Sequence, residues 1–113
     1  MPNHPNINVG CVIYTLTEQG MNAEWVFNRN GKTERGTGVA VRLTEIEPER
    51  KFEGSYDIVY TNSAGQPSPS IYLTVSLEDG CYTLIWNVEG KPTDQGIGLE
   101  SDGKLVASWT EVV

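Results

Sequence analysis

Two stretches decide the fold. The first runs Glu18-Gln19-Gly20, then Trp25, then Gly31-Lys32, then Gly36-Thr37-Gly38-Val39. The second runs Glu78-Asp79-Gly80, then Trp86, then Gly90-Lys91, then Gly96-Ile97-Gly98-Leu99. The landmarks keep one order, E-x-G, W, G-K and G-x-G-aliphatic. The outer ones repeat at a spacing of 60 positions. The two Trp and the two Gly-Lys pairs depart from that spacing by one residue in opposite directions. A shift at a hairpin tip has this effect, and order at a fixed period marks a duplicated unit. The repeat covers approximately residues 9–50 and 69–111 of a single domain, 1–113.

Working outward, the local pattern is β throughout. Phe52, Tyr56, Ile58 and Tyr60 share one face of their segment, with Glu53, Ser55, Asp57 and Val59 on the other. Ile71, Leu73, Val75 and Leu77 alternate with Tyr72, Thr74 and Ser76. A period of two is the signature of a half-buried strand. Turn signals separate these runs: Gln19-Gly20, Asn30-Gly31, Asn62 to Gly65, Asp79-Gly80, Glu89-Gly90 and Asp102-Gly103. Asn-Gly and Asp-Gly supply the positive φ angles of tight hairpins. Eight strands are expected near 9–17, 21–29, 34–43, 52–61, 70–77, 81–88, 94–100 and 104–111. Glu45 to Arg50 connects the halves with room for one helical turn. Gln66 to Ser70 is a loop, because its prolines cannot donate to a ladder. Short connections favour antiparallel neighbours, so the fold class is an all-β antiparallel meander barrel of about eight strands, from two similar four-stranded halves. A sandwich is the other closure open to such a chain.

The Trp and Gly landmarks have a packing role. A hairpin centred near Lys91 sets Trp86 opposite Gly96 and Leu84 opposite Gly98. In the first hairpin Trp25 falls opposite Gly36. Large residues facing bare backbone let a small barrel close without clashes. An eight-stranded barrel either fills its interior with side chains or holds one small ligand. In the second case Trp25, Trp86 and Trp109, with Tyr14, Tyr56, Tyr60 and Tyr82, are the candidate ligand-binding residues, suited to a flat or apolar molecule. With the indoles inward, Ile85, Ile97 and Leu99 point outward. Such an apolar stripe is a candidate homo-oligomer interface.

Composition narrows the function classes. The net charge is −7, with 8 Lys and Arg against 15 Asp and Glu. Nucleic acid and anionic membranes both need positive charge, so neither is an expected partner. No apolar run approaches the roughly 20 residues of a membrane span. The start, Met1 to Asn6, lacks the basic and apolar regions of a signal peptide. A soluble, cytoplasmic protein is the expectation. In that compartment Cys11 and Cys81 are expected as buried free thiols, a disulfide being the alternative.

The residues needed for catalysis are scarce. His4 is the only histidine and lies between prolines near the N-terminus. A Ser-His or Cys-His pair and a Cys/His zinc site both lack partners. The G-x-G segments fall within strands, without the helix that a phosphate cradle requires. Asp102-Gly103 reads as a hairpin turn, lacking the alternating oxygen ligands of a calcium loop. Glu45, Glu47, Glu49 and Glu53 read as a solvated connector face, a weak divalent-cation site being the alternative. Glu18 and Glu78 match in the repeat and read as turn geometry. The expectation is a non-enzyme with no cofactor and no metal.

The second half runs Tyr82-Thr83-Leu84-Ile85-Trp86, then Gly96 to Leu99, then Asp102-Gly103-Lys104-Leu105 to Trp109. It resembles a pattern of small bacterial β-barrel proteins, Y-x-L-x-W, G-x-G-L, D-G-x-L-x-x-x-W. The first half matches in part and lacks the closing D-G-x-L segment. Eight meandering strands also resemble the calycin group, the lipocalins and avidins. The lipocalin G-x-W is absent, Gly10-Cys11-Val12 standing in its region, and the polar residues with which avidins hold biotin do not map. The resemblance implies a barrel and carries no ligand with it. The expected role is a binding module for a small apolar or aromatic molecule or a protein partner. The alternative is an assembly protein with a filled barrel.

Overall fold

A computed structural model describes residues 8–112. Eight strands form in chain order: β1 Val9–Leu16, β2 Gly20–Arg29, β3 Lys32–Arg42, β4 Gly54–Asn62, β5 Ile71–Glu78, β6 Cys81–Val88, β7 Lys91–Ser101 and β8 Lys104–Glu111. Each pairs antiparallel with the next, and β8 returns to β1 to close a barrel. Closure leaves no strand edge open.

Four of the connections are two-residue hairpins: Asn30-Gly31, Asp79-Gly80, Glu89-Gly90 and Asp102-Gly103. In each, the first residue has φ between 51° and 54° and the glycine between 75° and 83°. Two successive positive φ angles define the turn whose twist matches that of paired strands. The second position takes glycine because other residues are strained there.

The alternating faces sort as the sequence implies. Tyr56, Ile58, Leu73, Val75, Tyr82 and Leu84 point inward and are buried. Ile85, Ile97 and Leu99 point outward, the last two 60% and 56% exposed. Ile13 on β1, Val106 on β8 and Leu99 on β7 stand abreast on the outer face. Cys11 and Cys81 are free, but both are exposed rather than buried. Cys11 sits on the outward phase of β1 and Cys81 follows a hairpin.

The two Trp hairpins differ in register. Trp25 lies opposite Gly36, as expected. A Cβ at Gly36 would stand 2.0 Å from the Thr61 carbonyl oxygen and 2.7 Å from the Trp25 ring. Trp86, however, lies opposite Asp94, while Gly96 faces Leu84 and Gly98 faces Tyr82. Two causes act together. The turn is Glu89-Gly90, with Lys91 already paired to Val88. A bulge beside Trp86 then leaves Thr93 out of the ladder. It follows Pro92, which has no N–H to give. Gly96 finds its large neighbour on the other side, where it pairs with Trp109. Trp109 also pairs with Gly10, and a Cβ there would lie 2.3 Å from the indole. The third indole, rather than the second, is thus flanked by bare backbone on both sides.

One end of the barrel is stoppered by the β3–β4 connection, residues 43–53. It makes a turn at Glu47–Arg50, where the Arg50 N–H donates to the Glu47 carbonyl at 2.9 Å, and not a helical turn. Phe52, 1% exposed, is driven into the barrel against Tyr82, edge to face at 6.0 Å. The Arg42 guanidinium lies over the Tyr56 ring at 4.8 Å and donates to the Glu53 carbonyl at 2.9 Å. The Tyr56 hydroxyl donates to the Phe52 carbonyl at 2.8 Å. Burial pushes that phenol up to about 12. Glu53 receives Arg50 through both oxygens, at 2.7 and 2.8 Å, and accepts the Leu77 N–H at 2.9 Å. These bonds tie the stopper to the wall.

Candidate functional site

The opposite end is open. There the barrel holds a cavity of about 450 Å³, walled by aromatic residues from four strands. Trp25 and Phe27 come from β2, Tyr60 from β4, Trp86 from β6 and Trp109 from β8. Val12 lies in the lining, and the mouth carries Arg29, Glu34, Asn62, Gln66, Ser68 and Glu111. Among the described residues, this end stays open because its longest connection, the β4–β5 loop, bonds to itself and to Tyr60 at the rim and sends no large apolar side chain inward.

Hydrogen bonds within the wall fix the rings. Trp25 Nε1 donates to the Thr37 carbonyl at 2.9 Å, and its ring meets Tyr60 edge to face at 6.4 Å. Trp86 Nε1 donates to the Tyr60 hydroxyl at 2.6 Å. The same hydroxyl shares a 2.7 Å hydrogen bond with the Tyr14 hydroxyl. Trp109 stacks on Phe27 at 4.3 Å with the planes 11° apart, and tilts against Trp86 at 6.2 Å. Burial pushes the Tyr14 and Tyr60 phenols well above the ordinary value. Both hydroxyls therefore stay protonated at neutral pH, and they link β1, β4 and β6 through hydrogen bonds.

The rim is equally well tied. Arg29 lies 4.9 Å over the Phe27 ring and bonds both oxygens of Glu111, at 3.0 and 3.2 Å. In the β4–β5 loop, Asn62 Oδ1 accepts the N–H groups of Ala64 and Gln66, each at 3.0 Å. Ser68 N–H donates to the Tyr60 carbonyl at 2.7 Å, and Tyr60 N–H donates to Ser68 Oγ at 3.0 Å. A side-chain-satisfied loop of this kind holds its shape without a ligand.

One carboxylate enters the aromatic wall. Asp94 is the ladder partner of Trp86, and so lies on the inner face of β7. The Thr93 hydroxyl donates to Asp94 Oδ1 at 2.7 Å. Loss of hydration raises the Asp94 carboxyl above its ordinary value and nearby Glu111 adds to this, while the Thr93 bond and Arg29 oppose it. The two ion pairs among the described residues, Arg29–Glu111 and Arg50–Glu53, leave Asp94 out.

The seven aromatic residues singled out from sequence divide in three. Trp25, Trp86, Trp109 and Tyr60 meet at the cavity. Tyr14 stands behind them, fully buried, and reaches the cavity wall only through Tyr60. Tyr56 and Tyr82 belong to the stoppered end with Phe52. Sequence reasoning missed Phe27, Asp94 and the Arg29–Glu111 pair. Phe27 had a signal, standing two residues from Trp25 on the same strand face. Asp94 had one as well, standing two residues before Gly96 on the face that holds Gly96 and Gly98, but its place directly opposite Trp86 depends on the bulge at Thr93. Glu53, placed with the connector acids, is held by Arg50. Among the described residues no three His, Cys, Asp or Glu side chains gather as a metal site. His4 lies outside the described residues.

Fold and site together define an eight-stranded antiparallel meander barrel, stoppered at one end and open at the other into an aromatic cavity. No family model, no curated protein and no solved structure matches the chain.

Proposed function

We propose that this protein is a binding module that takes a small molecule with a flat or apolar body end-on into the barrel. One observation carries the reading: a cavity of about 450 Å³ walled by three indoles, Tyr60 and Phe27. That size suits a small ligand. The wall is ordered by its own hydrogen bonds, so little freedom is lost on binding. The end-on entrance supports the likeness to calycin barrels.

N-phenyl-1-naphthylamine, a neutral fluorescent probe, tests this. Excited at the indoles, it is expected to light up with one molecule bound per chain. Trp109→Ala is expected to weaken it about tenfold, from the loss of a stacked ring. An absence of binding, or binding indifferent to Trp109, overturns the proposal.

The exposed Ile97 and Leu99, abreast of Ser108 and Val106 on the outer wall, favour a second reading as an assembly protein. Light scattering separates the two. A strict monomer up to millimolar concentration removes the assembly reading and leaves the cavity reading untouched.

A further inference from the structure

We infer that the molecule taken into the cavity is an organic cation, an alkylated ammonium on a small body, held between the indole faces and Asp94. The inference rests on the binding reading above and names the ligand class for the same site.

The chemistry of the wall leads there. Trp25 and Trp86 direct their N–H groups into the protein, to the Thr37 carbonyl and the Tyr60 hydroxyl. Trp25 is half-buried and Trp86 is 4% exposed, and what the two offer the cavity is carbon ring surface. Such surface attracts either apolar groups or cations, because ring faces carry negative charge. The carboxylate selects between the two. Asp94 is set beside Trp86 and takes part in neither ion pair. A neutral guest covering Asp94 would strip its water and leave the charge unpaired, which is costly. An anion would add repulsion. A cation supplies the missing partner and meets the rings as well.

Two further observations agree. The lining holds three carboxylates, Glu34, Asp94 and Glu111, against the single guanidinium of Arg29. A mouth of net negative potential steers cations inward. The chain also builds this arrangement from its own residues at the rim. There the Arg29 guanidinium rests on Phe27, which stacks on Trp109, and pairs with Glu111. The inner site repeats the pattern, with rings and a carboxylate in place and the cation to come from outside. The bulge at Thr93 is what turns Asp94 to this position.

Calorimetry with two probes of one shape provides the test. They are (4-hydroxyphenyl)trimethylammonium and its uncharged isostere 4-tert-butylphenol, which differ in charge and little in volume. The wild-type protein is expected to bind the cation about tenfold more tightly, the range of a partly desolvated cation–ring contact with a carboxylate nearby. Asp94→Asn keeps the side-chain shape and is expected to erase most of that preference while the phenol binds as before. Equal affinity for both probes, or a preference that survives Asp94→Asn, overturns the cation assignment and leaves the binding module standing. Failure of both probes to bind the wild-type protein overturns the assignment together with the reading beneath it.

Discussion

The two ends of the barrel are made from the same strands and have opposite interiors. At one end Phe52, Tyr56, Tyr82, Met21 and Leu105 fill the section, each at most 4% exposed. At the other, Trp25, Trp86 and Trp109 line a space they do not fill. The open end has the larger side chains, so residue volume does not explain the contrast. The connections do. Residues 43–53 fold inward and deliver Phe52 as a stopper. The hairpin Asn30-Gly31, the hairpin Glu89-Gly90 and the self-bonded loop after Asn62 stay at the rim. A barrel of this size is hollow or filled according to what its loops return to it.

Breaking the stopper gives the largest expected effect. Phe52→Ala removes a ring with 1% exposure and is expected to cost about 3–5 kcal/mol in denaturant unfolding. Trp109→Ala, at the already hollow end, is expected to cost less, because its loss opens less new void. Equal costs at the two ends would mean that the open end is packed in solution.

A smaller effect sharpens the contrast through pH. Arg50 and the Leu77 N–H together lower the Glu53 carboxyl from 4.5 to about 2. The charged form is the one the fold favours. Its contribution is thus complete above pH 4.5 and fades as pH falls towards 2. Glu53→Gln is expected to be less stable than wild type at neutral pH, by less than Phe52→Ala. The gap should close between pH 4.5 and 2 in parallel urea titrations. A gap that persists at pH 2 would show that Glu53 acts through shape and not charge.

The smallest effect lies at the open end and has the opposite sign. Loss of hydration raises the Asp94 carboxyl, so the folded state favours its neutral form. Stability from this group grows as pH falls through its folded value, and the charge is a net cost at neutral pH. Asp94→Asn is expected to raise the Tm by about 2 °C at pH 7 in the absence of ligand. The gain should vanish in acid, where wild-type Asp94 is itself neutral. A lower Tm for the variant at pH 7 would place Asp94 among the structural carboxylates with Glu53.

Much of this was legible in the chain. Asn30-Gly31, Asp79-Gly80, Glu89-Gly90 and Asp102-Gly103 mark their turns because only a few residues accept positive φ. Ile71 to Leu77 mark a strand because the pleat fixes a period of two. Trp25 opposite Gly36 followed from counting back from a turn. The same count failed for Trp86, because it took the turn to be near Lys91 and gave the strand no bulge. Gly10 went unnoticed, since its neighbour Trp109 arrives from the far end of the chain. The thiols were expected inside, but the strand phase of Cys11 carries it outward.

The sequence by itself determined eight strands, their turns, their inner faces and an interior rich in indoles, because these follow from contacts within a few residues. The tertiary structure alone decided that the barrel is stoppered by Phe52 at one end and, among the described residues, open at the other, and that Asp94 stands directly opposite Trp86 there. Those outcomes depend on closing β8 onto β1 and on a single bulge after Pro92. A local pattern cannot encode the first, and a one-residue slip reverses which side chains face the inside.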